Sequence, residues 1–263
     1  KLEGIGIHSG KKVHIRLCPA KENTGIRFIR TDQNNSPIHV TPKNITHANR
    51  ATFLSENNIS IATPEHLLAA CYGCEIDNLI IEIDNEEVPI LDGSSLEFSK
   101  LLTQTPPVKQ TEHIKPLLIT TEIKIESNDS YIKVSPSDTT TFSYSLDYPN
   151  HFIGSQEFSS PLTPKAFIND IAPARTYGFL NEIQSLLHKN LAQGGSFENA
   201  IVIGESDYLT PLRFPNELAR HKLLDMIGDI SIFGRPIQGH FSGYKSGHNL
   251  NTQLVKKLFE SYK

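Results

Sequence analysis

The 263-residue chain has no tryptophan, one methionine and only three cysteines. Cys18, Cys71 and Cys74 are an odd set in a long chain, unlike the framework of a disulfide-stapled secreted domain, so reduced thiols are expected. Cys71-Tyr72-Gly73-Cys74 has the spacing of half a structural zinc site, yet Cys18 alone does not supply the other ligands, and ordinary structural thiols are the commoner use. Positive charge is also scarce. Twenty-five basic against 29 acidic side chains give a formal charge of -4, which leaves no broad basic surface for nucleic acid and makes any phosphate contact local. No run approaches the roughly 18 apolar residues that cross a bilayer, and the first residues lack the pattern of a secretory leader. A protein without transmembrane segments, in the cytoplasm, is expected.

Enough apolar residues are present to fold: 38% are hydrophobic and 21% charged, which is globular composition. The length suits two compact domains of roughly 100 to 150 residues. Residues 2 to 54 alternate short apolar runs with turn residues, as in Val13-His14-Ile15-Arg16-Leu17, and read as paired strands. Thr63-Pro64 then offers a capping hydroxyl and a first-turn proline for a helix beginning at Glu65-His66. An isoleucine-rich strand at residues 78 to 83 and a helix from about Ser95 to Leu102 complete an α+β layer.

A polar stretch carrying Pro106-Pro107 divides the chain into a unit at residues 1–108 and another at 109–263. The second unit repeats the order, with strands at Leu117–Ile125, Tyr131–Val134 and Thr141–Leu146 and helices at 217–233 and 248–262. Apolar residues fall at the same offsets after Gly93 (Leu96, Leu101) and after Gly247 (Leu250, Val255), which points to internal duplication. An extra segment at about 178–205 joins a short amphipathic helix, Gly194-Gly195 and the apolar Ala200–Ile203.

Chemistry concentrates in three places. His221, Asp225 and Asp229 recur every fourth residue and share one helical face, opposite Leu223, Leu224, Met226 and Ile227; the polar stripe is expected to face water or a cleft. An imidazole and a carboxylate at that spacing can hold one Zn²⁺ that needs a third ligand, although an exposed helix with an ordinary His–Asp pair is the plainer use. Glu65-His66 at a helix start supplies such a ligand and a carboxylate beside it, where favourable charge at the helix N-terminus is the plainer account. Lys245-Ser246-Gly247-His248 delivers a histidine to another helix start, and a charged His248 there needs a carboxylate, for which Asp229 is the candidate. Gly4–Gly10 and Gly194-Gly195-Ser196 lack the lysine-hydroxyl pattern of a phosphate loop and read as loop geometry.

Taken in order, Glu3–Gly10, Thr63-Pro64-Glu65-His66-Leu67, Val88–Ser94, Ala174-Arg175-Thr176-Tyr177-Gly178-Phe179, His221–Asp225 and Lys245–His248 closely resemble the UDP-3-O-acyl-N-acetylglucosamine deacetylases of bacterial lipid A synthesis. The resemblance runs over nearly the whole chain. It implies two similar α+β domains, each a sheet packed with helices in a layered sandwich and each with an insert, the second insert forming a passage for a fatty acyl chain. It implies Zn²⁺ held by His66, His221 and Asp225, Glu65 as general base and His248 as acid or oxyanion-side residue. Thr176 would assist the tetrahedral intermediate, and Lys222 and Tyr177 would meet substrate, Tyr177 standing where phenylalanine is familiar. The substrate would be a UDP-linked acylated amino sugar and the protein a monomer. Protonation of the leaving nitrogen by His248 or by Glu65 acting twice stays open, and so does a nucleotide-sugar-binding or dehydratase-like module without zinc hydrolysis. A zinc peptidase is disfavoured by the absence of His-Glu-x-x-His.

Overall fold

The computed structural model describes every residue except Asn49, Thr105, Pro106 and Lys263. Alternating burial builds the first half: β1 (Leu2–Ile5), β2 (Lys12–Pro19), β3 (Ile26–Arg30) and β4 (Ser36–His39) are followed by a hairpin of β5 (Phe53–Glu56) and β6 (Ile59–Ala62). Helix α1 (Glu65–Gly73), strand β7 (Leu79–Ile83) and helix α2 (Leu96–Gln104) complete it. The dividing stretch lies partly outside the described residues; beyond it, Gln110 is tied to the first half by its contacts with Asn78 and the Ala20 carbonyl.

The second half runs β8 (Leu117–Leu118), β9 (Ile123–Ser127), β10 (Ser130–Ser135), β11 (Thr141–Tyr148) and β12 (Gly154–Pro161). A short turn α3 (Pro164–Ala166) leads to β13 (Tyr177–Phe179), α4 (Leu180–His188) and β14 (Ile201–Ile203). Then come α5 (Glu217–Ser231), β15 (Ile237–Gln238), β16 (His240–Tyr244) and α6 (His248–Ser261).

The expected duplication is visible in the pairing. One sheet has the order β1-β2-β7-β3-β4 and the other, read from its opposite edge, β9-β10-β16-β11-β12. In both, the central strand pairs in parallel with one neighbour, β7 with β3 and β16 with β11, while the remaining pairs are antiparallel. In both, one helix precedes that central strand and another follows it. Helices α1 and α5 are almost wholly buried: α1 packs on α5 and α2, α5 on α6, β11 and β12, while α6 packs on β9 and β10. One apolar core runs from Val13, Phe28 and Ile81 through Leu67 and Leu223 to Phe142 and Phe241.

The α1–α5 approach is close enough to need glycine. A Cβ on Gly228 would collide with the carbonyl oxygen of Glu65, so a bulkier residue there would push the two helices apart. The two glycine-rich loops meet as well, with the Gly194 amide donating to the Ile7 carbonyl at 3.0 Å and the Gln193 amide to the His8 carbonyl at 3.2 Å.

Three expectations need correction. Thr63 does not cap α1: its φ is 55° and its hydroxyl donates to Glu87 Oε1 at 3.2 Å, since the chain turns sharply to bring Glu65 inward. Leu117–Ile125 is not one strand, because Leu117-Leu118 pairs in parallel with β15, apart from the main sheet, and the exposed Thr120-Thr121-Glu122 intervene. Helix α5 has no solvent face along its stripe; His221, Asp225 and Asp229 are as buried as the leucines opposite them. Cys71 and Cys74 are free and buried in the core, and burial pushes both thiols up, which suits packing.

Candidate active site

Because α1 and α5 cross with no side chain between their backbones at Gly228, polar groups from both halves meet in a largely buried pocket. Helix α1 delivers Glu65 and His66 from its first turn, α5 delivers His221, Asp225 and Asp229 from successive turns, and α6 begins with His248. All six are less than a tenth exposed.

His66 Nε2 and His221 Nε2 lie 3.4 and 3.3 Å from the same oxygen, Asp225 Oδ1. That oxygen is buried with no hydrogen-bond partner, an arrangement that costs several kcal/mol unless something positive joins it. The three donor atoms lie within 4.8 Å of one another, and among the described residues no other such group occurs. The imidazoles fit a cation only as neutral bases, and burial depresses His221 to about 3, against the pull of Asp225. The other ring nitrogen of His221 donates to the Ala174 carbonyl at 3.1 Å, which fixes its tautomer and turns Nε2 to the pocket. Burial works against ionisation of Asp225, but His221 and Lys222 outweigh it and hold the carboxyl well below its usual range; the Lys222 ammonium donates to Oδ2 at 2.8 Å. These residues fit a divalent cation.

Beside them, burial raises Glu65 to about 7, the neighbouring His248 opposing. Burial also disfavours charge on His248, yet Asp229 and Glu65 prevail and raise it to about 9. Asp229 Oδ2 lies 2.8 Å from His248 Nδ1, so the expected compensating carboxylate is in place. The other imidazole nitrogen, Nε2, stands 3.6 Å from Glu65 Oε1.

Thr176 is anchored by its amide, which donates to the Gly93 carbonyl at 2.8 Å, where φ is 86° and a Cβ would strike Asn199. Behind it, the buried Arg175 guanidinium pairs with Glu217, Nε to Oε1 at 2.9 Å. Tyr177 lies over the pocket edge, its ring 5.7 Å from the Lys222 ammonium and its hydroxyl 3.4 Å from that of Tyr148. From there aromatic rings continue outward: Tyr148 to Phe179 at 5.4 Å, Phe179 to His151 at 5.5 Å, and Phe152 to Tyr208 at 5.0 Å. The sequence reading missed Tyr148, His151 and Phe152 at the β11–β12 connection and Tyr208 after β14, two segments that no sequence spacing links. It also missed Thr52 and Asn251, whose side chains both donate to Asp229.

Two matched α+β halves close a pair of imidazoles and a lone carboxylate oxygen around one point, with an ionisable glutamate beside it, an arrangement suited to metal-dependent hydrolysis. The model of the UDP-3-O-acyl N-acetylglycosamine deacetylase family matches residues 1–260, and the chain belongs to that family. Among its relatives, UDP-3-O-acyl-N-acetylglucosamine deacetylase of a Nitratiruptor species is 42% identical over 98% of this chain and 87% of its own length. The enzymes of that name from Myxococcus xanthus and Campylobacter fetus subsp. fetus are 41% and 39% identical, over 98% and 99% of this chain and 83% and 89% of theirs.

Proposed function

We propose that this chain hydrolyses the N-acetyl group of UDP-3-O-acyl-N-acetylglucosamine in lipid A synthesis, with Zn²⁺ held by His66, His221 and Asp225. The observation that carries the metal reading is the 3.3 and 3.4 Å spacing of the imidazole nitrogens from the orphaned Asp225 oxygen. It is the corner-to-corner distance of a tetrahedron with bonds of about 2.0–2.1 Å, the geometry zinc takes with such donors. When bound, the ion supplies Lewis-acid chemistry, polarising a carbonyl and acidifying water.

The chain's own residues do the rest. Glu65 takes the proton from the attacking water, a task suited to a carboxylate tuned towards the operating pH. His248, kept charged by Asp229, gives its proton to the glucosamine nitrogen as the C–N bond breaks; acetate and the free amine leave. Glu65 Oε1 and His248 Nε2 stand 3.6 Å apart, close enough for base and acid to serve one reacting centre beside them. Thr176 offers a hydroxyl to the developing oxyanion, and Lys222 and Tyr177 line the substrate side. The aromatic path from Tyr177 to Tyr208 leads to α4, whose Leu180 and Leu187 stand exposed seven residues apart, on one face. That surface, within 178–205, is the passage for the acyl chain.

We read the enzyme as a monomer, with 1–108 and 109–263 as its two domains. No described helix is long and apolar enough to cross a membrane. A UDP-linked substrate suits work in the cytoplasm. The deciding measurement is acetate release by metal-stripped protein before and after one equivalent of Zn²⁺. Restored release is expected; substrate binding without release, by folded zinc-loaded protein, would favour a nucleotide-sugar-binding module.

A further inference from the structure

One wholly buried residue touches both halves of this machinery. Thr52 precedes β5, and its hydroxyl donates to Asp229 Oδ1 at 2.6 Å. Its amide donates to Glu65 Oε2 at 3.3 Å, and its carbonyl accepts the Thr63 amide at 3.0 Å, two residues ahead of Glu65. We propose that Thr52 is a positioning residue for the deacetylation, aligning the general base with the Asp229–His248 pair across the seam between the halves; this rests on the roles given to Glu65 and His248 above.

The directions of these bonds are forced. A carboxylate only accepts, and a hydroxyl has one proton to give, so Thr52 occupies Oδ1 of Asp229. Oδ2 is left for the His248 Nδ1 proton at 2.8 Å and the Asn251 amide at 2.9 Å. With Nδ1 committed to Asp229, Nε2 is the nitrogen that faces the cleft. The Thr52 amide does the same for Glu65: by taking Oε2 it leaves Oε1 towards His248. A side chain that only filled space here would need no hydroxyl, since valine has nearly the same shape.

The test compares Thr52→Val with Thr52→Ser in zinc-loaded enzyme. Thr52→Val should lower kcat on the order of 10- to 100-fold, the worth of one hydrogen bond to a buried charge. Its KM and its zinc content should stay as in the wild type. Thr52→Ser keeps the hydroxyl and loses a methyl group, so it should retain kcat within about threefold even where its melting temperature falls. A packing role predicts the reverse order, with serine worse than valine; that order, or an unchanged kcat in Thr52→Val, overturns the proposal.

A second readout needs no turnover. The Nδ1 proton resonance of His248, assigned by its loss in His248→Ala, should broaden by solvent exchange in Thr52→Val and persist in Thr52→Ser. Persistence in both variants overturns the positioning role. If the resonance behaves as expected while zinc-loaded wild type releases no acetate, the deacetylase reading fails and the positioning of His248 by Thr52 stands.

Discussion

At the scale of single residues, the site is a set of ionisable groups whose burial would be prohibitive if each stood alone. Glu65→Gln removes a proton acceptor without removing a metal ligand, so zinc should stay at one per chain while kcat falls by about 10²–10⁴. Near-normal turnover of that loaded variant would remove Glu65 from the chemistry. His221→Ala takes one of three ligands and should instead abolish stoichiometric zinc, read by elemental analysis. The carboxylate of Asp229 favours the charged form of His248, so Asp229→Asn must lower the imidazole's pKa. The alkaline limb of the kcat/KM profile should therefore move to lower pH; a limb that stays in place would assign it to another group.

The elements explain why part of this was legible in the sequence and part was not. The four-residue spacing of His221, Asp225 and Asp229 is a property of one helix, so it could be read directly, as could the isoleucine alternation of β7. Strand β12 escaped notice because Gly154-Ser155-Gln156-Glu157-Phe158-Ser159-Ser160-Pro161 is an edge strand with few apolar residues, and β8 and β15 have two residues each. Thr52 escaped because nothing in Arg50-Ala51-Thr52 marks a hydroxyl whose partner lies 177 positions away. The meeting of α1 with α5 is likewise a tertiary fact, and Gly228 is its local trace. Gly228→Ala should cost roughly 1–3 kcal/mol of stability by overpacking, where an exposed helical glycine would gain from the same change. Urea denaturation gives the sign. On α4, Leu187→Asp should raise KM about 10-fold for a long-chain substrate through lost apolar contact, with kcat preserved. Equal effects on a short-chain analogue would place the acyl group elsewhere.

For the whole molecule, the pocket should govern how stability varies with pH in the metal-free protein. Glu65, raised from 4.5 to about 7, withdraws stability as pH rises through that interval. His248, raised from 6.5 to about 9, contributes stability that is complete below 6.5 and lost as pH rises through 9. His221, depressed from 6.5 to about 3, acts oppositely and withdraws stability as pH falls through its interval. Glu65 and His221 offset one another between 4.5 and 6.5, so the metal-free protein should be most stable there and weaken on either side. Zinc favours deprotonated ligands and should shift that optimum upwards while raising the melting temperature. Melting curves across pH, with and without zinc, test both statements.

The matched strand orders of the two halves have a consequence for ancestry. Had the halves remained true copies, the seam between α1 and α5 would carry the same residues from both sides, as in a symmetric dimer of a single ancestral unit. Instead one side presents Glu65 and His66 and the other His221, Asp225 and Asp229. Doubling supplied a sheltered junction, and divergence of the twins, each relieved of the other's role, made that junction reactive.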